Sequence, residues 1–166
     1  GRDRYVSDAE FLAVWDKAHP TLRDAMDLAL LTGQRPADVL KIRRADIHDG
    51  ALWIVQNKTG AKRAIEIVGE LAELIERIKA RPRERLGPFL IQDDDGKPLR
   101  ADGLRSRFTK AREAAGVSFQ FRDIRAKAAS DTGDLAHSQR LLGHQRREMT
   151  EHYVKQRVGE RVMPLR

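Results

Sequence analysis

Cysteine is absent from the 166 residues, which excludes disulfides and thiolate metal sites. No apolar run approaches the ~20 residues of a membrane-spanning helix. No signal-peptide pattern opens the chain. A cytoplasmic protein without membrane contact is therefore expected. No internal repeat or low-complexity tract occurs, and the HExxH, Walker and GxSxG signatures are missing. The acidic run Asp93 to Gly96 is not a calcium loop, because Leu104 stands where the bidentate acid belongs. His19, His48 and His137 have no ligand spacing, so no metal is expected. A starting methionine is also lacking. The chain reads as a piece excised at a domain boundary, with a missing N-terminal region expected.

Acidic residues are outnumbered. There are 32 Lys and Arg against 25 Asp and Glu, for a net charge of +7. Basic domains are often polyanion binders. A basic, soluble surface alone would give the same charge. The length suits one domain with a core of useful size.

The periodicities predict a mostly helical α+β domain with one small sheet. Ser7 and Glu10 form a capping box, followed by Phe11, Val14, Trp15 and Ala18 at helical spacing. Pro20 opens a second helix that stops near Gly33. Pro36 opens a third, short one. Between residues 42 and 68 the period changes. Residues 41–47, 51–55 and 64–68 are predicted to form a three-stranded antiparallel meander, with turns at Gly50 and Asn57 to Gly60. Helices are predicted at 70–78, 102–114, 122–132, 137–142 and 149–157. Residues 81–100 read as a surface loop, pinned by the apolar piece Phe89 to Ile91.

Several residues fit phosphodiester chemistry. Attack on a phosphodiester builds negative charge on the nonbridging oxygens, and arginine answers with a permanently charged, bidentate fork. Arg35 precedes Pro36, so it should be extended at a helix N-terminus, a place that favours phosphate. Arg122 and Arg125 share a helix face, and Ala126, Ala128 and Ala129 suggest that this helix packs closely in the interior. Lys58 sits at the tip of the predicted hairpin, where its ammonium would protonate a leaving oxygen. His144 follows an apolar helix and Gly143. Tyr153 offers a phenol, which needs cationic neighbours to become reactive. Each residue also has an ordinary reading. Surface arginines, a solvated turn lysine, a capping histidine and a core tyrosine would look the same one at a time.

Together the blocks resemble the tyrosine recombinases, the phage integrase family. LALLTGQRPADVLKIRRADI is similar to that family's first arginine block, and QNKTGAKRAIEIV to its catalytic hairpin. FRDIRAKAAS resembles its second block, and LLGHQRREMTEHY its terminal block. The resemblance covers nearly the whole chain in order. It implies the family's catalytic-domain fold and site-specific recombination or integration of DNA through a 3′-phosphotyrosine, needing neither metal nor cofactor. By resemblance, Arg35 and Arg125 would clamp the scissile phosphate. Lys58 would be the general acid, His144 would bond the phosphate or assist proton transfer, and Tyr153 would be the nucleophile. Arg122 stands where the family usually has histidine, and it cannot act as a base near neutral pH. Asp38 replaces the usual glutamate in a supporting role. The implied partners are double-stranded DNA and other protomers, with the C-terminal tail docking on a neighbour or folding back. In the family a separate N-terminal DNA-binding domain closes around the duplex, and this chain is expected to lack it. A type IB topoisomerase-like nicking and closing enzyme and a noncatalytic DNA-binding module of the same fold remain as alternatives.

Overall fold

Ser7 starts the first helix as its spacing requires. Its hydroxyl accepts from Glu10 N at 3.1 Å, and the Glu10 carboxylate accepts from Ser7 N at 3.1 Å. A computed structural model describes residues 4–142 and 160–166. In chain order these form helices α1 (Asp8–Lys17), α2 (Pro20–Thr32) and α3 (Pro36–Leu40), then a 3₁₀ turn (Arg44–Asp46). Strands β1 (Ile47–His48), β2 (Ala51–Val55) and β3 (Lys62–Glu66) follow. Helices α4 (Gly69–Ala80), α5 (Ala101–Ala115), α6 (Asp123–Asp131) and α7 (Leu135–Leu142) come next, and strand β4 (Glu160–Val162) closes the order. The predicted helix at 149–157 lies outside the described residues. None of the described helices is long and apolar enough to cross a membrane.

α2 is the central helix. Leu22, Ala25, Met26, Leu28 and Ala29 are each at most 1% exposed, which places nearly the whole circumference in the core. α5 shows one apolar face, Leu104, Phe108 and Ala111. Phe108 meets Phe119 and Phe121 edge-on, at 5.4 and 5.5 Å between centroids. That contact fixes the approach to α6.

The sheet departs from expectation in two ways. Residues 41–47 do not form a full strand. The Asp46 carboxylate accepts from Arg43 N at 2.8 Å and turns the backbone locally. The ladder bonds of this stretch go instead to residues 88–90, as Arg44 N to Pro88 O (2.9 Å) and Leu90 N to Ile42 O (2.9 Å). This is also how the loop at 81–100 is pinned, with Leu90 and Ile91 buried. The second departure is β4, which pairs in parallel with β3 (Arg63↔Glu160, Ile65↔Val162). The sheet is therefore four-stranded and mixed. β3 also lies two positions earlier than expected, ending at Glu66, and Val68 is the N-cap of α4.

The described tail folds back on its own domain. Val162 is buried, Leu165 N donates to Leu31 O at 3.0 Å, and Leu71 N donates to Arg166 O at 3.2 Å. Of the tail residues with apolar contacts to offer, Met163 stays exposed and Val158 lies outside the described residues.

α6 is held by a lysine that the sequence reading passed over. Its buried face is Asp123, Ile124, Lys127 and Ala128; Ala128 packs inside as expected and Ala129 is half-buried, whereas Ala126 faces solvent. Lys127 is fully buried. Its ammonium donates to Val6 O (2.9 Å) and Asp8 Oδ1 (2.8 Å) and pairs with Asp131 Oδ2 (3.1 Å). Lys127→Ala would leave the nearly buried Asp131 with the longer Arg166 contact (3.7 Å) in place of the lysine at 3.1 Å, so a loss of about 3 kcal/mol is expected in urea unfolding. Burial pushes the Lys127 pKa down, but the bonds to Asp8, Asp131 and Tyr5 outweigh it and hold the group above its ordinary value. A raised pKa means that the contribution is complete below the unfolded lysine value of about 10.4 and fades as pH rises through the folded one. The wild type should therefore lose stability above that pH more steeply than Lys127→Ala.

Candidate active site

Four segments converge at the C-terminal end of α2. The helix ends at Gly33 with φ 66°. A Cβ there would lie 2.8 Å from a Leu142 methyl carbon, so the turn needs glycine for its backbone and for the close approach of α7. Arg35 then caps α3 with extended backbone (φ −67°, ψ 152°), as the following proline demands. Its Nη1 is buried and has no hydrogen-bond partner among the described residues. An unpaired buried guanidinium nitrogen is costly and marks a place where an anion would fit.

Arg125 reaches the same turn from α6. Its Nη1 donates to Gly33 O at 2.7 Å and its Nη2 to Leu142 O at 3.0 Å. Burial first, then the charge of nearby Arg35, lowers its pKa to about 10, with Asp38 opposing. Arg125 therefore stays cationic at neutral pH, and two like charges face one locality.

Asp38 is 1% exposed. Its Oδ1 accepts from Asn57 N at 2.8 Å and faces Lys41 Nζ at 3.5 Å. This carboxylate fastens the root of the β2–β3 hairpin beside the Arg35 turn. Lys58 stands exposed at the hairpin tip.

Arg122 sits at the N-cap of α6 and is exposed. It shares with Arg35, Leu40, Phe108 and Arg112 the lining of an open groove of about 890 Å³. Arg122 and Arg125 thus share a helix, but one faces the groove wall while the other braces the turn. His144 and Tyr153 lie outside the described residues.

Gln34 and Gln56 were not singled out from sequence, yet both are 1% exposed and hydrogen-bond each other beneath the Arg35 turn. The one available signal was position: each glutamine flanks a residue already chosen, Arg35 or the Lys58 turn.

The profile of the Phage integrase family matches residues 6–160. The chain belongs to this family. The integrase of Escherichia phage HK022 is 34% identical over 167 residues, covering 91% of this chain and 46% of that protein. The integrase of Escherichia phage lambda is 32% identical, covering 96% of this chain and 49% of its own length. The chain thus spans about half the length of the curated relatives it matches. Among solved structures, the lambda integrase catalytic core superposes with a TM-score of 0.74 at 32% identity, covering 87% of this chain and 96% of that one. A lambda integrase(75–356) dimer bound to a COC′ core site gives a TM-score of 0.76 at 30% identity, covering 88% of this chain and 59% of that one. The tyrosine recombinase resemblance and its catalytic-domain fold are borne out, with the sheet mixed in place of antiparallel.

Proposed function

We propose that this integrase-family domain breaks and rejoins duplex DNA in site-specific recombination, through a 3′-phosphotyrosine. The observation that carries the reading is the buried Arg35 Nη1, without a hydrogen-bond partner among the described residues, beside Arg125 at the start of α3. A scissile phosphate supplies the anion that this arrangement lacks. Arg35 and Arg125 clamp its nonbridging oxygens. Arg122, on the groove wall, adds a donor and no base. Lys58, carried on the exposed hairpin tip, gives its proton to the leaving 5′ oxygen. His144 bonds the phosphate or assists proton transfer, and Tyr153 is the nucleophile. The phosphodiester energy is kept in the adduct, so religation needs no external source.

The partners follow from the same reading. Structures of similar proteins include a lambda integrase dimer on a core site and a lambda integrase tetramer on a Holliday junction. This chain would accordingly work on DNA together with other protomers. Binding by the domain alone should be weak and steeply salt-dependent, as phosphate-led binding is.

The test is a nicked suicide duplex with the full-length protein in excess EDTA. A covalent 3′ adduct is expected, followed by strand exchange when a second duplex with a 5′ hydroxyl is added. An adduct that forms only with magnesium would sink the mechanism. Relaxation of supercoils without exchange would replace recombination by nicking and closing.

A further inference from the structure

Beneath the candidate site lies a closed hydrogen-bond network built on Gln34 and Gln56. Gln56 Nε2 donates to Gln34 Oε1 at 2.7 Å and to Leu142 O at 2.9 Å. Gln34 Nε2 donates to Thr32 O and to Leu141 O, each at 2.8 Å. Gln56 Oε1 accepts from the Thr59 hydroxyl at 3.1 Å, and that oxygen accepts in turn from Ala61 N at 3.2 Å. All four amide hydrogens and both amide oxygens are therefore engaged. Turning the Gln56 amide over would set its oxygen against the Gln34 oxygen and the Leu142 carbonyl, so the network admits one orientation.

Thr32, Thr59 and Ala61 belong to segments that carry a site residue. Thr32 leads into the Arg35 turn. Thr59 and Ala61 flank the hairpin tip next to Lys58. Leu142 O is shared, because it also accepts from Arg125 Nη2 at 3.0 Å. One carbonyl thus joins the amide of Gln56 to the guanidinium of Arg125. Two apolar residues of equal size would fill this space but take these donors away from the Thr32, Leu141 and Leu142 carbonyls. What the amides add is a unique register between segments.

We propose that Gln34 and Gln56 are positioning residues that hold the Lys58 turn in register with the Arg35 and Arg125 phosphate site. The proposal rests on the reading of Lys58 as general acid. In that step a bond forms between Tyr153 Oη and phosphorus, and the phenol proton passes to solvent. The bond from phosphorus to the 5′ oxygen breaks, and the Lys58 ammonium protonates that oxygen. A turn displaced by about 1 Å would leave the proton out of reach and slow the step about 100-fold. Binding of the duplex would change little.

Sulfur in place of the bridging 5′ oxygen separates positioning from general damage. A thiol titrates near ~8.5, so it leaves as thiolate without a proton. The experiment is single-turnover cleavage by the full-length protein on oxygen and sulfur suicide duplexes, with duplex affinity and thermal unfolding recorded for each variant. Gln56→Met should cleave the oxygen substrate ~10- to 100-fold more slowly and the sulfur substrate within ~3-fold of wild type. Gln34→Met should follow the same pattern. The double variant should be no more than ~3-fold worse than Gln56→Met, because both break one network. Equal losses on the two substrates, or no loss on oxygen, would overturn the proposal. If Gln56→Met fails to fold, the isosteric Gln56→Glu is held to the same two outcomes. Lys58→Ala is the control for the underlying reading. Should sulfur fail to rescue it, the general-acid role falls, and with it the link through Lys58, whatever the glutamine variants do.

Discussion

Tyr153→Phe is expected to abolish the covalent adduct on a suicide duplex while leaving duplex affinity nearly unchanged. The substitution removes one oxygen and keeps the ring, so packing is preserved. Loss of a nucleophile costs most of an enzyme's rate, on the order of 10⁴-fold or more, which puts the adduct below detection. Duplex affinity should survive, because phosphate contacts made by the arginines and lysines dominate it. A free tyrosine phenol titrates near ~10, so a nucleophilic one needs a cationic field at neutral pH. On the proposed mechanism Arg35 and Arg125, which share one locality, would provide that field. An adduct of normal yield from Tyr153→Phe would move the nucleophile elsewhere and end this assignment. Loss of binding in parallel with loss of the adduct would mean that the tyrosine supports the fold, and the assignment would fail in that way too.

Local chemistry was the legible part of this chain. The capping box at Ser7, the left-handed stop at Gly33 and the extended backbone of Arg35 each depend on neighbours within a few residues. The sequence states them directly, and the structure agrees. Long-range pairing was not legible. The stretch at 41–47 reads as a strand by composition, but its ladder partners lie at 88–90, and a nearby aspartate competes for the backbone. β4 is three residues long and pairs with a strand nearly a hundred positions earlier, so no window of sequence could signal it. Lys127 illustrates the limit of composition. A lysine between alanines suggests a solvated face, yet this one is fully buried because Val6, Asp8 and Asp131 meet it there. The glutamines show the same limit at the site. Gln34 meets Gln56 across 22 positions and Leu141 across 107, and neither amide has a pattern that announces a partner. Motif order therefore picked out candidate site residues, while the contacts that hold Arg35, Arg125 and the Lys58 turn together required the fold.

Arg125→Ala is expected to slow single-turnover cleavage far more than Arg122→Ala. Removal of one donor to a developing oxyanion costs on the order of 10²- to 10³-fold. Arg125 should reach the upper end of that range because it does two things. On the proposed mechanism it would be a cation at the phosphate, and its bonds to Gly33 O and Leu142 O brace the turn that carries Arg35. Arg122 braces nothing among the described residues. It stands exposed at the N-cap of α6, on the groove wall with Arg35, with water free to replace it in part. A loss of about 10-fold is expected for Arg122→Ala, in line with a single exposed charge-assisted contact. Arg122→His should keep much of the activity at pH 6 and lose part of it as pH rises through the usual imidazole range near ~6.5, because its donor capacity is then halved. If a separate base serves the phenol, His144→Gln should remove an acidic limb from the wild-type pH–rate profile. The measurement is cleavage of one suicide substrate across pH for all four variants, with duplex affinity and thermal unfolding as controls. Should Arg122→Ala be as inactive as Tyr153→Phe with binding intact, Arg122 is an indispensable group at the phosphate. Its placement on the outer wall would then have to change on substrate binding.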